Sequence, residues 1–205
     1  MSKTDLKKEL AWLYNPSSKE PAIVDIPPMR FFMVDGAGDP NTSIEYRQAM
    51  EALYGASFTL KFMLKKRGDS PDYAVMPLEG LWYMDDMREF SMAPKDLWQW
   101  TSMIMQPDFI TPADVQQALD ELRRKKHPPA LGLLRFETYQ EGVSAQIMHI
   151  GPYAAEEPTI NKLHAFIEER GYVRGGKHHE IYLGDPRRTA PEKLKTVIRQ
   201  PIRKP

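Results

Sequence analysis

The sequence predicts an α+β chain built from two strand–helix–strand–strand modules with antiparallel sheets, one over residues 21–128 and the other over 129–205. Three observations carry this reading. The order of elements in the first part recurs in the second. Each part sets a long stretch of helical periodicity among short apolar runs of strand character. Related tetrapeptides, MVDG at Met33–Gly36 and MHIG at Met148–Gly151, stand before each long helix. Chance resemblance between two α/β half-domains is the alternative to duplication.

Residues 1–20 read as a helical lead-in or arm, with Leu6, Leu10 and Leu13 at helical spacing and a stop at Asn15–Pro16, because a proline disfavours helix in the residue before it. The run AIVDIPPMRFFMV over 22–34 gives two short strand pieces parted by Pro27–Pro28, which belong at an edge or bulge. DGAGDPN is turn chemistry, and Thr42 with Glu45 three residues on has capping-box spacing for the helix that follows. That helix carries Tyr46, Ala49, Met50, Leu53, Tyr54, Leu60 and Leu64 on one stripe and closes in basic residues before Gly68. Gly55 in its middle costs roughly 1 kcal/mol against alanine, which suggests a close backbone approach or a kink.

Strands are predicted at 73–83 and 96–105, joined by a charged loop near Asp85–Asp86. Thr111–Pro112 opens a second helix with Val115, Ala118, Leu119 and Leu122 on its inner face. His127–Pro128–Pro129 marks the boundary between the modules. Strands in LGLLRFETY and SAQIMHIG, a helix with Ile160, Leu163 and Ile167 inward and Gly171 past its end, and strands in HHEIYLGDP and LKTVIRQPI complete the second module. Gly55 and Gly171 stand at matching distances in the two halves.

Composition excludes several function classes. With 28 basic and 28 acidic residues there is no charge surplus to attract nucleic acid or an anionic membrane. Cysteine is absent, which removes disulfides, cysteine nucleophiles and thiolate metal sites. No apolar run has the length of a signal peptide core or a membrane span, so a cytoplasmic protein is expected. The 12 Met, 9 Tyr, 8 Phe and 4 Trp supply soft, polarizable surface able to repack around varied apolar ligands, or an ordinary Met-rich core.

Two glutamates stand out among apolar neighbours. Glu180 and Tyr182 in HHEIYL share a strand face at spacing i, i+2, and a carboxylate buried among rings is expected to have its pKa raised by desolvation or to seek a cationic ligand; a surface ion pair is the plain alternative. Glu79 in PLEGLWY sits beside Trp82, but alternation puts the two on opposite faces unless Gly80 marks a bulge. Trp98, Trp100 and Ser102 alternate along one face as an indole wall, for ligand stacking or for core packing. Tyr153 follows Gly151–Pro152 as a pocket lip, and Tyr54 on the first helix is placed with the ligand-contacting residues. His178 and His179 point to opposite faces and cannot readily chelate one ion; His149 could join them but is more simply a hydrogen-bonded structural histidine. No metal and no cofactor is therefore expected. DGAGDPN lacks the Lys-Ser/Thr of a phosphate loop, and no G-x-S-x-G elbow occurs.

The segments RFFMVDGAGDPN, LYGASFTLKF, YAVMPLEGLW, GVSAQIMHIGPY, HHEIYLGDPRR and APEKLKTVIRQPI together resemble the stand-alone branch of the GyrI-like small-molecule-binding family, from about Lys19 to Pro205. The resemblance implies pseudo-two-fold symmetry between the modules and two long helices enclosing a central groove. It also implies binding of hydrophobic, aromatic or cationic small molecules, and in some members hydrolysis of cyclopropane-bearing electrophiles. It places Glu180 as the glutamate that meets the ligand, with Glu79 and Trp82 in the same pocket. Glu79 and Glu180 are then the catalytic candidates, and Trp82, Trp100, Tyr54, His149, Tyr153, His179 and Tyr182 the substrate-binding ones. The alternative is a module that binds or sequesters drugs without chemistry, acting with a separate regulator. With too few residues ahead of the first module for a helix-turn-helix, no direct contact with nucleic acid is expected, nor any membrane association, and the protein is expected to be a monomer.

Overall fold

A computed structural model describes residues 3–87 and 94–205; the part of the predicted charged loop at 88–93 lies outside the described residues. In chain order the elements are β1 (Lys3–Thr4), α1 (Leu6–Glu9), α2 (Ala11–Tyr14), β2 (Ala22–Ile26), β3 (Met29–Ala37), α3 (Ile44–Arg67), β4 (Asp72–Tyr73), β5 (Leu78–Tyr83), β6 (Gln99–Gln106), α4 (Pro112–Lys125), β7 (Arg135–Tyr139), β8 (Gly142–Ile150), α5 (Glu157–Glu169), β9 (Val173–Arg174), β10 (His178–Tyr182) and β11 (Lys195–Arg203). This is the α+β class that the periodicity predicts. No helix among the described residues is long and apolar enough to cross a membrane.

The chain packs as two compact units that interleave along the sequence. The first holds residues Met1–Glu9, Met29–Met76 and Tyr83–Tyr139. Its antiparallel strands run in the order β6–β3–β7, and β1 and β4 form a small parallel pair. Helix α3 lies over β6, with Tyr46 edge-on to Trp100 at 5.0 Å and Gln106 Nε2 donating to Ser57 Oγ at 3.2 Å. Helix α4 packs on α3 where Gly55 lets it approach: a Cβ there would stand 3.2 Å from the Leu122 side chain, so Gly55 serves the close approach rather than a kink.

Several boundaries move from their predicted places for definite reasons. The lead-in is two single turns, α1 and α2, instead of one helix. Strand β3 runs on through Asp35–Ala37, which the turn-like composition of DGAG concealed. The cap of α3 is Ser43, whose Oγ accepts from the Tyr46 N–H, one residue beyond the Thr42 predicted. Helix α4 opens at Thr111–Pro112 as predicted, and Thr111 and Asp114 bond reciprocally there in a capping box. Gly55 lies mid-helix while Gly171, with φ of 72°, terminates α5, so the two glycines are not equivalent.

The second unit holds Leu10–Pro28, Pro77–Trp82 and Gln140–Pro205. Its antiparallel strands run β2–β8–β11–β10–β5, with β9 paired to the end of β11. On one face, α5 seats Leu163 and Ile167 against Ala145, Ile147, Ile198 and Ile202, all buried. On the other face lies α2, whose Leu13 is fully buried. Both faces of β8 and β11 are therefore covered in part, and polar side chains buried there must find partners within the protein.

Candidate functional site

Strand alternation and antiparallel register sort the ionisable groups of the second unit into two sets. Glu180 stands opposite Ile198 and Gly80, and Tyr182 opposite Thr196 and Leu78, while Thr196 in turn pairs with His149. His178, opposite Trp82, completes the α5 side of β10, here called the front. His179 pairs with Leu81 and Arg199, Ile181 with Glu79, and Arg199 with Gln146, and these make the back. The register through Gly80 is unbroken, so no bulge brings Glu79 round to join Trp82 and Glu180. Gly80 has another reason to be glycine: a Cβ there would stand 2.8 Å from Trp82 Nε1, so the indole lies flat where a side chain would be.

On the front, the Trp82 indole N–H donates to the Tyr182 hydroxyl at 2.9 Å, and that hydroxyl donates to Glu180 Oε2 at 2.6 Å. His178 Nε2 meets the other oxygen of Glu180 at 3.1 Å. Tyr153, more than a third exposed, meets the Tyr182 ring edge-on at 5.4 Å. The Glu180 side chain itself is 16% exposed. His149 Nδ1 lies 2.9 Å from Thr159 Oγ1, whereas its Nε2 and the neighbouring Thr196 Oγ1 are buried without a hydrogen-bond partner.

The carboxylate of Glu180 departs from the expected charge behaviour. Burial pushes its pKa up, but the hydrogen bond and charge of His178, the Tyr182 hydroxyl and the charge of His179 outweigh burial and bring it below the usual carboxylate range. The expectation of a raised value fails because rings were counted and donors were not. His164 on α5, whose Nδ1 lies 3.1 Å from Arg174 Nη1, is held down to about 4 by burial and by the charges of Arg174 and His178, and is neutral near pH 7.

The back carries a sealed network. Glu79 is fully buried; the Tyr14 hydroxyl donates to its Oε1 at 2.7 Å and His179 Nε2 meets its Oε2 at 3.0 Å. His179 Nδ1 meets both oxygens of Glu141 at 3.0 Å, and Arg199 Nη1 donates to Glu141 Oε2 at 3.1 Å. Arg199 also donates to Gln146 Oε1 and to the Leu13 carbonyl, and Gln146 donates to the Trp12 carbonyl at 2.7 Å. Burial alone would lower the His179 pKa, but the charge of Glu141 and the bonds to both carboxylates raise it above its ordinary value. Burial would raise Glu141, and His179 with Arg199 bring it below. Tyr14 is raised well above the usual phenol by burial and by Glu79.

The remaining predicted site residues belong to the first unit. Trp100 is fully buried, its indole laid over Gly36, where a Cβ would stand 2.2 Å from the ring, so it is core rather than an exposed wall. Tyr54 does not point inward with the α3 stripe: it is exposed and stacks with Phe58 at 6.3 Å, and Phe58 stacks with Phe62 at 6.2 Å. Sequence reading missed Tyr14, Glu141, Gln146 and Arg199. Arg199 did leave a signal, a lone charge inside the apolar strand TVIRQPI. Among the described residues no group of three or more His, Cys, Asp or Glu could hold a metal ion.

Comparison with known proteins gives this geometry its context. The sequence profile of the GyrI-like small molecule binding domain matches residues 19–203. An uncharacterized conserved protein from Listeria innocua is 38% identical, superposes with a TM-score of 0.90, and is matched over 98% of this chain and 100% of its own. A hydrolase from Listeria innocua is 37% identical over the same shares, with a TM-score of 0.84. The C-terminal domain of EcmrR, 13% identical with a TM-score of 0.57 over 91% of this chain and 98% of that one, shares the fold. A search of curated proteins returned no match.

Proposed function

Because this chain belongs to the GyrI-like small-molecule-binding family, we propose that its front face binds flat hydrophobic, aromatic or cationic small molecules, with Glu180 as a standing counter-charge. The observation that carries this reading is the joined set of Trp82, Tyr182 and Glu180. It keeps an anion ionised in a largely dehydrated, aromatic setting, where attraction to a cation is far stronger than in water. Tyr153 supplies an exposed ring at the edge, and His149 Nε2 with Thr196 Oγ1 supplies hydrogen bonds for a polar end. Trp100 and Tyr54 stay outside this front-face set. The protein is proposed to act as a cytoplasmic monomer.

Titration of ethidium, a flat aromatic cation, followed by its fluorescence, tests this. Glu180→Gln is expected to weaken binding about tenfold or more, and Trp82→Phe less, through loss of the bond that fixes Tyr182. Equal affinity in wild type and Glu180→Gln would remove the counter-charge.

A second reading is favoured by the 37% identical hydrolase, which matches nearly all of this chain. In it, the same face opens strained cyclopropanes conjugated to a carbonyl. Glu180 orients a water whose oxygen attacks a ring carbon; the ring C–C bond breaks and its electron pair moves onto the carbonyl oxygen as an enolate. Hydrogen bonds from His149 or Thr196 steady that charge, the water's proton passes to Glu180, and its return to the enolate carbon completes net addition of one water. A carboxylate held below its usual range is a weak base, so positioning of the water carries more of this reaction than proton abstraction. The alternative is retention of the bound molecule unchanged.

A further inference from the structure

We propose that His179 is a positioning residue for this face: gripped at both ring nitrogens on the back of β10, it fixes the strand and supplies the charge that set the aim and ionisation of Glu180, one residue on. The inference rests on the front face being the ligand site, and it assigns Glu79 and Glu141 a role exerted through His179 rather than on ligand.

Neighbouring residues on a strand project to opposite sides with Cα atoms about 3.8 Å apart, so whatever immobilises one backbone unit orients the next side chain. An imidazole bonded at one nitrogen can still swing about χ1 and χ2. His179 is bonded at both, at 3.0 Å each, and its partners are themselves tied. The second oxygen of Glu79 accepts from Tyr14 on α2, and Glu141 accepts from Arg199 on β11, whose other N–H groups reach Gln146 and the Leu13 carbonyl. Residues from α2, β5, β8, β10 and β11, with Glu141 just ahead of β8, thus converge on one ring that is 1% exposed.

A purely mechanical fastening would not need charges. Apolar side chains of similar volume commonly replace buried ion networks at no loss of stability, which makes the electrostatic content of this one informative. With His179 protonated the four ionisable groups, Glu79, Glu141, His179 and Arg199, cancel to zero; with it neutral they leave one buried negative charge behind Glu180. On the front, Glu180 faces His178 and Tyr182, with His164 and Arg174 beyond, and the back supplies the His179 cation across the thickness of one strand.

Carbon-detected NMR titration of the Glu180 carboxyl and the His179 ring in the full chain tests the link without any ligand. In wild type, the Glu180 carboxyl signal is expected to show a second inflection at the midpoint of the His179 ring, which lies above the ordinary histidine value. In His179→Gln, which removes the cation behind the strand, the Glu180 midpoint should rise by roughly half a pH unit. The acid limb of ethidium binding should move with Glu180 in that variant. A Glu180 signal that ignores His179 in wild type overturns the proposal even if His179→Gln does not fold. So does a Glu180 midpoint unmoved in folded His179→Gln. Ethidium that binds nowhere near Glu180 sinks the ligand-face reading instead, and leaves the NMR coupling standing.

Discussion

The two units use charge in opposite ways. In the first, ion pairs sit at the rim: Arg135 with Asp35, and Lys61 and Lys65 with Asp72, all on side chains that water reaches. Its one buried carboxylate among the described residues, Asp114, pairs with Arg67, whose side chain is 40% exposed, and the rest of its interior is apolar or neutral, as at Trp100, Ile104 and Ser57. The second draws Glu79, Glu141, His179 and Arg199 inside, each side chain 0–2% exposed. Exposed pairs contribute little because solvent screens them, whereas a buried set must be complete to be tolerated at all. The first unit thus holds its charges mainly where solvent reaches them, and the second holds a complete set away from solvent.

The sharpest break of that contrast would come from removing one cation from each unit. Arg199→Met is expected to destabilise the chain by about 3–5 kcal/mol, because Glu141 is left buried with a partner missing, while Arg135→Ala should cost less than about 1 kcal/mol. Urea denaturation of the two variants measures the difference, and similar losses would erase the distinction between the units.

The pH dependence should carry the signature of the second unit on both sides. His179 is raised in the native state, so its contribution is whole below about 6.5 and disappears as pH climbs through the higher native midpoint. Glu141 and Glu180 are lowered, so their contributions are present above about 4.5 and lost as pH falls through their native midpoints. His164 adds a loss as pH falls from about 6.5 to about 4, because protonation there is resisted by burial and by Arg174. Denaturation midpoints followed from pH 3 to 10 check this; in Glu141→Gln the acid-side loss should shrink.

Smaller effects refine the contrast. Tyr14→Phe removes a bond to a buried carboxylate and should cost about 1.5–3 kcal/mol, against about 1 kcal/mol for Ser57→Ala, whose bond to Gln106 joins neutral groups. Smallest of all, Gly55→Ala should change stability by only a few tenths of a kcal/mol, since about 1 kcal/mol of helix propensity is set against crowding of the Leu122 side chain end. Gly80→Ala, by contrast, should displace the Trp82 indole and weaken ethidium binding with little change in fold, visible as a shift in tryptophan fluorescence.

Elements with strong local signals were legible: the helix opening at Thr111–Pro112, the terminator Gly171, and the shared face of Glu180 and Tyr182 all follow from rules that act within four residues. What escaped depends on partners far along the chain. Tyr14 meets Glu79 across 65 residues and Arg199 reaches Leu13 across 186, so neither bond leaves a local pattern. The direction of the Glu180 shift was missed for the same reason. Neighbouring aromatics suggested desolvation, while the His178 and Tyr182 bonds that reverse it depend on side-chain geometry. Tyr54 shows the limit of periodicity, because a stripe of steps three and four includes residues at its margin that packing leaves outside.

The most direct measurement incubates a cyclopropane-conjugated ketone with wild type and with Glu180→Gln and follows the small molecule by mass spectrometry, with ethidium binding run alongside. The front-face account predicts that ethidium affinity falls in the variant and that any gain of one water by the ketone is lost with it. A variant that binds and turns over like wild type would show that the chemistry of this protein lies elsewhere than on the front of β10.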